Sequence, residues 1–278
     1  MSLVQKLRVK AGKKIDLSQW KTDATPGVKD EAEAAAETAK HVQQLETYQY
    51  KLHAEGRRSV LIVLQGMDAS GKDGVVRHVM SGFDPLGCNV TAFKAPTQEE
   101  LAHDYLWRIH RVVPAHGEVS VFNRSHYEDV LVVRVHDLVP KRVWAQRYEQ
   151  INAFEALLAA SGTTVIKFYL HIGRAEQKRR LIERLDDPVK RWKFNARDIE
   201  ERELWKDYRA AYEDLLARCS SAHAPWYVIP ADHKWYRDHA ISRILVETFA
   251  ELDPAIPEPP LHIKALRSRL LGGPGKAR

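Results

Sequence analysis

The stretch Gly66-Met67-Asp68-Ala69-Ser70-Gly71-Lys72-Asp73-Gly74 follows directly on the apolar run Val60-Leu61-Ile62-Val63-Leu64. The spacing G-x-x-x-x-G-K is that of a phosphate-binding loop, set where a buried strand gives way to a helix. In such a loop Lys72 neutralises a phosphoryl group, and the backbone amides of residues 70–74, from Ser70 to Gly74, hold its oxygens. Two residues are unusual. Asp73 takes the position normally filled by a magnesium-binding Ser or Thr, and Asp68 places a second carboxylate inside the loop. Asp73 can hold magnesium through hard oxygen, or serve as a first-turn acid favoured by the helix dipole. Asp68 beside a bound phosphate is repelled unless a cation or proton bridges the two, which argues for a functional role.

A loop of this kind needs an α/β frame, and the 278 residues supply one. Apolar residues make up 44% of the chain, enough for a sizeable core. The pattern predicts five short strands over residues 59–65, 89–94, 118–123, 163–172 and 225–230. Helices are expected over 30–54, 72–80, 97–112, 141–160, 175–185, 198–218 and 235–250, with another beginning near Ser125. Gly56 reads as a C-terminal cap, and Thr97 with Glu100 as a capping box. Strands alternating with helices imply a three-layer fold around a parallel sheet. Residues 1–57 read as an N-terminal extension and helix, of which 1–29 are polar and expected to drape over the surface. Residues 58–252 read as the core, with a lid over 174–198, and 253–278 as a flexible basic tail.

Several classes of function are disfavoured. No run of about 18 uncharged apolar residues occurs, so a membrane span is not expected. Residues 1–14 are basic but lack an apolar stretch, unlike a secretory signal. Cys88 and Cys219 have neither disulfide-framework nor zinc-site spacing. The chain reads as cytoplasmic. With 43 Lys and Arg against 37 acids, the net charge of +6 admits a polyanionic partner.

The end of the third strand, Val119-Ser120-Val121-Phe122-Asn123-Arg124, is where nucleotide kinases with this loop carry a metal-binding aspartate. Here the residue is Asn123, a neutral group, and Arg124 is placed to reach a phosphate. Glu128 and Asp129 follow and could restore the missing charge. Glu128 reads equally well as part of a Ser125 capping box. Between Arg174 and Lys193 eight cations, among them Lys178, Arg179, Arg180, Arg184, Lys190 and Arg191, stand against four acids. Part of this run is a solvated helix face. As a cluster after the fourth strand, it corresponds to a lid that closes over phosphates and excludes water. Lys234 and Arg237 fall near the C-terminal edge of the sheet, where open α/β sheets bind ligands. Trp205, Trp226 and Trp235 read as core, and no nucleic-acid-binding pattern is present.

With these blocks assembled, the chain resembles the polyphosphate kinase family 2 enzymes. Residues Gly66 to Gly74 look like their Walker A loop, Phe122 to Val130 like their Walker B block, Arg184 to Phe194 like their lid, and Ala224 to Asp232 like their last strand and loop. The resemblance spans residues 30–252 in order. It implies a thymidylate-kinase-like P-loop kinase fold and reversible phosphoryl transfer between inorganic polyphosphate and adenine, or by extension guanine, nucleotides. Magnesium is the implied cofactor, with manganese as a substitute. Asn123-Arg124 followed by Glu128-Asp129 resembles class III members, which convert both AMP and ADP. By position, Lys72 would bind the transferring phosphate, Asp68 and Asp73 would organise magnesium and the acceptor, and Arg124 would grip the nucleotide phosphate. Gly66, Ala69, Ser70, Gly71, Gly74, Asn123 and Glu128 complete the phosphate and nucleotide contacts. Arg179, Arg180, Arg184, Lys190 and Arg191 would close on the polymer or the acceptor. A homo-oligomer is expected; membrane and nucleic-acid partners are not. Two other readings compete: an ATP-dependent nucleoside monophosphate kinase of the thymidylate kinase type, and a basic polyanion-binding module with a vestigial loop. Asp73 and Asn123 count against the first of these.

Overall fold

The computed structural model describes residues 2–271. Five strands, β1 (Ser59–Gln65), β2 (Cys88–Ala92), β3 (Val119–Asn123), β4 (Thr163–His171) and β5 (Trp226–Pro230), form one parallel sheet in the order β2-β3-β1-β4-β5. Every residue of β1 is buried, as expected of a central strand covered on both faces. Val60, Ile62 and Leu64 face the Glu31–Glu55, Lys72–His78 and Lys234–Leu252 helices. Leu61 and Val63 face the Lys141–Ala160 and Trp205–Cys219 helices on the other side. The expected three-layer α/β fold with a five-stranded parallel sheet is therefore present. Chain order reverses around β1, so the loop after it opens at the switch point where such sheets form their crevice.

The long helices fall near their expected bounds, with informative exceptions. The Thr97 capping box forms, but its helix covers only Gln98–Leu101. Asp104 then accepts from the backbone N–H of Leu106 and starts a separate turn at Trp107–His110. The helix expected from Ser125 is instead a 3-10 segment, His126–Val130, followed by a single turn at Val132–Val135. The helix expected over 198–218 is two pieces, Arg197–Glu203 and Trp205–Cys219. Within the expected tail, Ile263–Leu270 forms a short exposed helix; residues 272–278 lie outside the described residues.

Residues 1–29 do not merely drape over the surface. Leu7, Val9, Ile15 and Leu17 are buried in the core. Arg8 bridges antiparallel to Tyr227, and the N–H of Val9 donates to Trp226 O at 2.9 Å. β5 would otherwise be a bare sheet edge, and the N-terminal segment covers part of it. Tyr236 Oη donates to Pro26 O at 3.0 Å, pinning the end of the segment to the last long helix. Truncating Leu17 to Ala is expected to lower unfolding stability by about 2–5 kcal/mol. Urea unfolding of the variant checks this, and a change within error would return the segment to the surface.

Between the Glu31–Glu55 and Lys234–Leu252 helices, His41 Nδ1 meets Ser242 Oγ at 2.9 Å. The His41 ring lies 5.7 Å from that of His239, which pairs with Glu37. Burial, and then the charges of His239 and Arg243, push His41 from 6.5 down to about 4 against the opposing pull of Glu37 and Glu247. The unfolded chain therefore binds a proton between pH 6.5 and 4 that the folded chain does not. Stability present above that window is lost as pH falls through it. A His41→Asn variant should lose less of its urea midpoint between pH 7 and pH 5 than the native chain; an unchanged pH slope would exclude His41 as a source.

Candidate active site

A loop that turns its N–H groups toward a phosphate turns its carbonyls inward, where each needs a donor. All five carbonyls from Gly66 to Ser70 have one. Lys72 Nζ donates to Gly66 O at 2.6 Å and Met67 O at 3.3 Å. Gln177 Nε2 reaches Asp68 O at 3.0 Å, and Arg180 Nη1 reaches Ala69 O and Ser70 O at 3.0 and 3.2 Å. The backbone obeys the same constraint. Gly66 has φ +155°, and a Cβ there would stand 2.7 Å from Ser70 Oγ and 2.9 Å from Leu170 O. Gly71 has φ +104°, and its missing Cβ makes room for the Arg237 guanidinium, whose Nη1 would lie 2.0 Å from that atom.

These contacts revise the expected role of Arg180. Its second nitrogen, Nη2, donates to Ala231 O and Asp232 O at 2.6 and 2.8 Å, and the side chain is buried. It fastens the loop to the exit of β5 and is not free to close on a polymer. The Arg174–Asp186 helix, expected as a lid, is thus built into the loop floor through Gln177 and Arg180. Its outer part and the following turn carry the accessible cations. Arg179 pairs with Glu176 and Glu183, Arg184 with Asp198, and Lys190 with Glu183 and Asp187. Arg191 Nε donates to Leu185 O. Lys193, in the same turn, crosses to the loop and meets Asp73 Oδ2 at 3.1 Å.

The two unusual carboxylates have different partners. Asp68 Oδ1 accepts from Arg124 Nη2 at 2.9 Å, and Arg124 Nη1 stands 3.8 Å from Glu128 Oε2. Arg124 adopts left-handed backbone with φ +63°, which turns its side chain from the end of β3 across the cleft. Glu128 also accepts from Gln65 Nε2 at 3.0 Å. Ser125 Oγ takes the N–H of Tyr127, so the capping box that competed for Glu128 does not form. Asp129 turns away: Arg147 Nη1 donates to it at 2.9 Å, and burial pushes its carboxyl up to about 6 against the Arg147 charge. Gly66, Met67, Asp68, Arg124, Glu128 and Tyr208 line one cleft, with Glu201 and Tyr212.

Asp73 Oδ1 accepts from Asn123 Nδ2 at 2.9 Å. Burial works to raise Asp73, but the Asn123 and Lys193 hydrogen bonds outweigh it and hold the carboxyl below its usual range. An aspartate at position 123 would place two carboxylates face to face, so the two departures from the usual kinase pattern compensate each other. Sequence reasoning noted each and missed the link between them, although their joint occurrence was the signal. It also missed Gln65 and Gln177 as members of the site, and had Lys193 only as one cation of the lid, without its contact to Asp73. Lys72 is buried, and desolvation, then the Arg124 charge, lower it to about 8, against Asp68, Glu128 and Asp73.

No three Asp, Glu, His or Cys side chains among the described residues are grouped to hold a metal ion. Hard carboxylate oxygens that leave most of the coordination sphere to phosphate and water fit magnesium, which keeps several waters and binds through one or two carboxylates. Among the described residues no helix is long and apolar enough to cross a membrane.

Residues 28–256 match the family described as Polyphosphate kinase 2 (PPK2). The chain is 50% identical over 257 residues to the AMP/ADP-polyphosphate phosphotransferase of Meiothermus ruber, covering 92% of this chain and 96% of that one. It is 43% identical over 266 residues to the ADP-polyphosphate phosphotransferase of Rhodopseudomonas palustris, covering 91% and 92%. The crystal structure of Polyphosphate Kinase 2 from Arthrobacter aurescens TC1 superposes with a TM-score of 0.94 at 42% identity, over 98% of this chain and 97% of that one. Sequence blocks, sheet order and relatives agree: the chain belongs to the polyphosphate kinase 2 family of phosphotransferases.

Proposed function

We propose that this chain moves phosphoryl groups reversibly between inorganic polyphosphate and both AMP and ADP, with magnesium. The observation that carries the reading is the Asp73–Asn123 contact. It replaces the Ser/Thr and Asp pair of ATP-driven nucleotide kinases, within a family whose Meiothermus ruber member is named for both acceptors.

In this reading the loop amides and Lys72 hold the transferring phosphoryl group, and a phosphate dianion beside Lys72 restores the proton affinity that burial removes. Arg124 exchanges its contact with Asp68 for the acceptor phosphate. Asp68 and Asp73 would hold magnesium, which would supply neutralisation of the charge on the transferring phosphate. An acceptor phosphate has its second pKa near about 6 and is largely dianionic at neutral pH. Positioning and charge neutralisation therefore matter more than a general base. Arg179, Arg184, Lys190, Arg191 and Lys193 supply the cations that a chain with roughly one charge per phosphate requires. The acid partners of Lys190 and Lys193, which are Glu183, Asp187 and Asp73, are exposed enough to be exchanged for phosphate.

AMP with long-chain polyphosphate and magnesium should yield ADP and then ATP, followed by chromatography of the nucleotides. Turnover of AMP with ATP as donor, and none with polyphosphate, would overturn the reading. Lys72→Ala should cut turnover by on the order of 10²–10³-fold or more with the fold intact by circular dichroism. Retained activity would remove the role assigned to Lys72.

Asn123→Asp sets a second carboxylate against Asp73. It should lower kcat/KM about tenfold at low magnesium and recover in part as magnesium rises, because the ion screens the pair. A magnesium titration reads this directly, and equal activity of both chains at every concentration would show that the contact has no part in the reaction.

A further inference from the structure

Beneath the turn that carries Arg124 and Glu128 lies a charged cluster that does not touch the phosphate cleft. Lys167 stands in the middle of β4, between Ile166 and Phe168, and is fully buried. Its Nζ donates to Tyr127 Oη at 2.8 Å, to Cys219 O at 2.7 Å, and to the Glu155 carboxylate. Glu155 Oε1 in turn accepts from Tyr127 Oη at 2.8 Å and pairs with His126 Nε2 at 3.3 Å. The rings of Tyr127 and Trp226 flank the ammonium at 5.2 and 5.3 Å.

A buried ion pair is a poor choice for stability alone. The cost of taking both charges out of water is comparable with their attraction, and apolar side chains of the same volume often serve a core as well. The position of this one supplies another reason. His126 and Tyr127 are adjacent, they immediately precede Glu128, and both are held by the one Glu155 carboxylate. Local preferences hold the same turn weakly: Arg124 sits at φ +63°, and the 3-10 segment is five residues long. Among the described residues His126 Nδ1 has no partner, and Glu155 provides the hydrogen bond that orients that ring. A small rotation of the turn would carry Arg124 away from Asp68 and Glu128 away from Gln65.

We propose that Lys167 and Glu155 are positioning residues for phosphoryl transfer, which through Tyr127 and His126 hold Arg124 and Glu128 toward the acceptor phosphate. The inference rests on the reading of Arg124 as the group that grips that phosphate.

The test is a cycle in the full chain with Tyr127→Phe, Arg124→Ala and the double variant, measured with AMP and polyphosphate varied separately. Tyr127→Phe keeps the ring and removes both links of the hydroxyl. It should raise the KM for AMP about tenfold and leave the KM for polyphosphate as in the native chain. The double variant should fall well short of the product of the two losses, because the part of the Tyr127→Phe effect that runs through Arg124 is already gone. If Tyr127→Phe lowers the yield of folded chain, His126→Phe, which keeps a ring and removes the link to Glu155 without touching the Lys167 pair, takes its place in the cycle. A fall in kcat with both KM values native, or losses that multiply in the double variant, would overturn the positioning role. Full activity of Arg124→Ala alone would instead remove the reading beneath it.

Discussion

Five backbone carbonyls pointing into the protein set the terms for the rest of this site. A phosphate loop can aim its amides at an anion only if the opposite edges of its peptide planes are satisfied inside, since a buried unpaired carbonyl costs about as much as a lost hydrogen bond. Lys72, Gln177 and Arg180 meet that need between them. Two of the three come from the helix that also carries the lid cations, so loop and lid are one mechanical unit at their base. Arg237, seated where Gly71 lacks a side chain, adds another buried cation under the loop. The positive character of the site is thus built into its floor as well as its rim, and it is compensated by Asp238 behind Arg237 and by Glu176 beside Arg180.

Above that floor the acids and bases are arranged for exchange. Arg124 rests on Asp68, Lys193 on Asp73, and Lys190 on Glu183 and Asp187. Each pair is partly exposed, in the range where an ion pair contributes about 0–1 kcal/mol. In the proposed reading, phosphate oxygens and a divalent cation replace both partners at little cost. Arg180, whose partners are buried backbone carbonyls, cannot be released in the same way. Burial distinguishes Arg180 from Arg179, although in sequence the two are neighbours.

Local pattern made the frame legible. The apolar run before Gly66, the loop spacing and the alternation of strands with helices each depend on residues close in the chain, and the sheet formed as expected. The errors came where distant segments meet. Residues 1–29 read as polar surface because Leu7, Val9, Ile15 and Leu17 are scattered among charges, and only distant elements, the edge of β5 and the Trp205–Cys219 helix among them, give them a place. Lys167 lies inside an apolar strand that is otherwise ordinary, and its reason is Glu155 on another element.

The sequence by itself determined the chemistry available: a phosphate loop with two extra carboxylates, an asparagine where an aspartate is usual, and a basic segment after the fourth strand. Those follow from residue type and spacing, which are properties of the chain. Tertiary structure decided which charges face one another: Asn123 with Asp73, Arg124 with Asp68, Arg180 with the loop carbonyls. Electrostatic roles depend on distance and on exclusion of water, and both are set only when β1, β3 and the Arg174–Asp186 helix converge on one crevice.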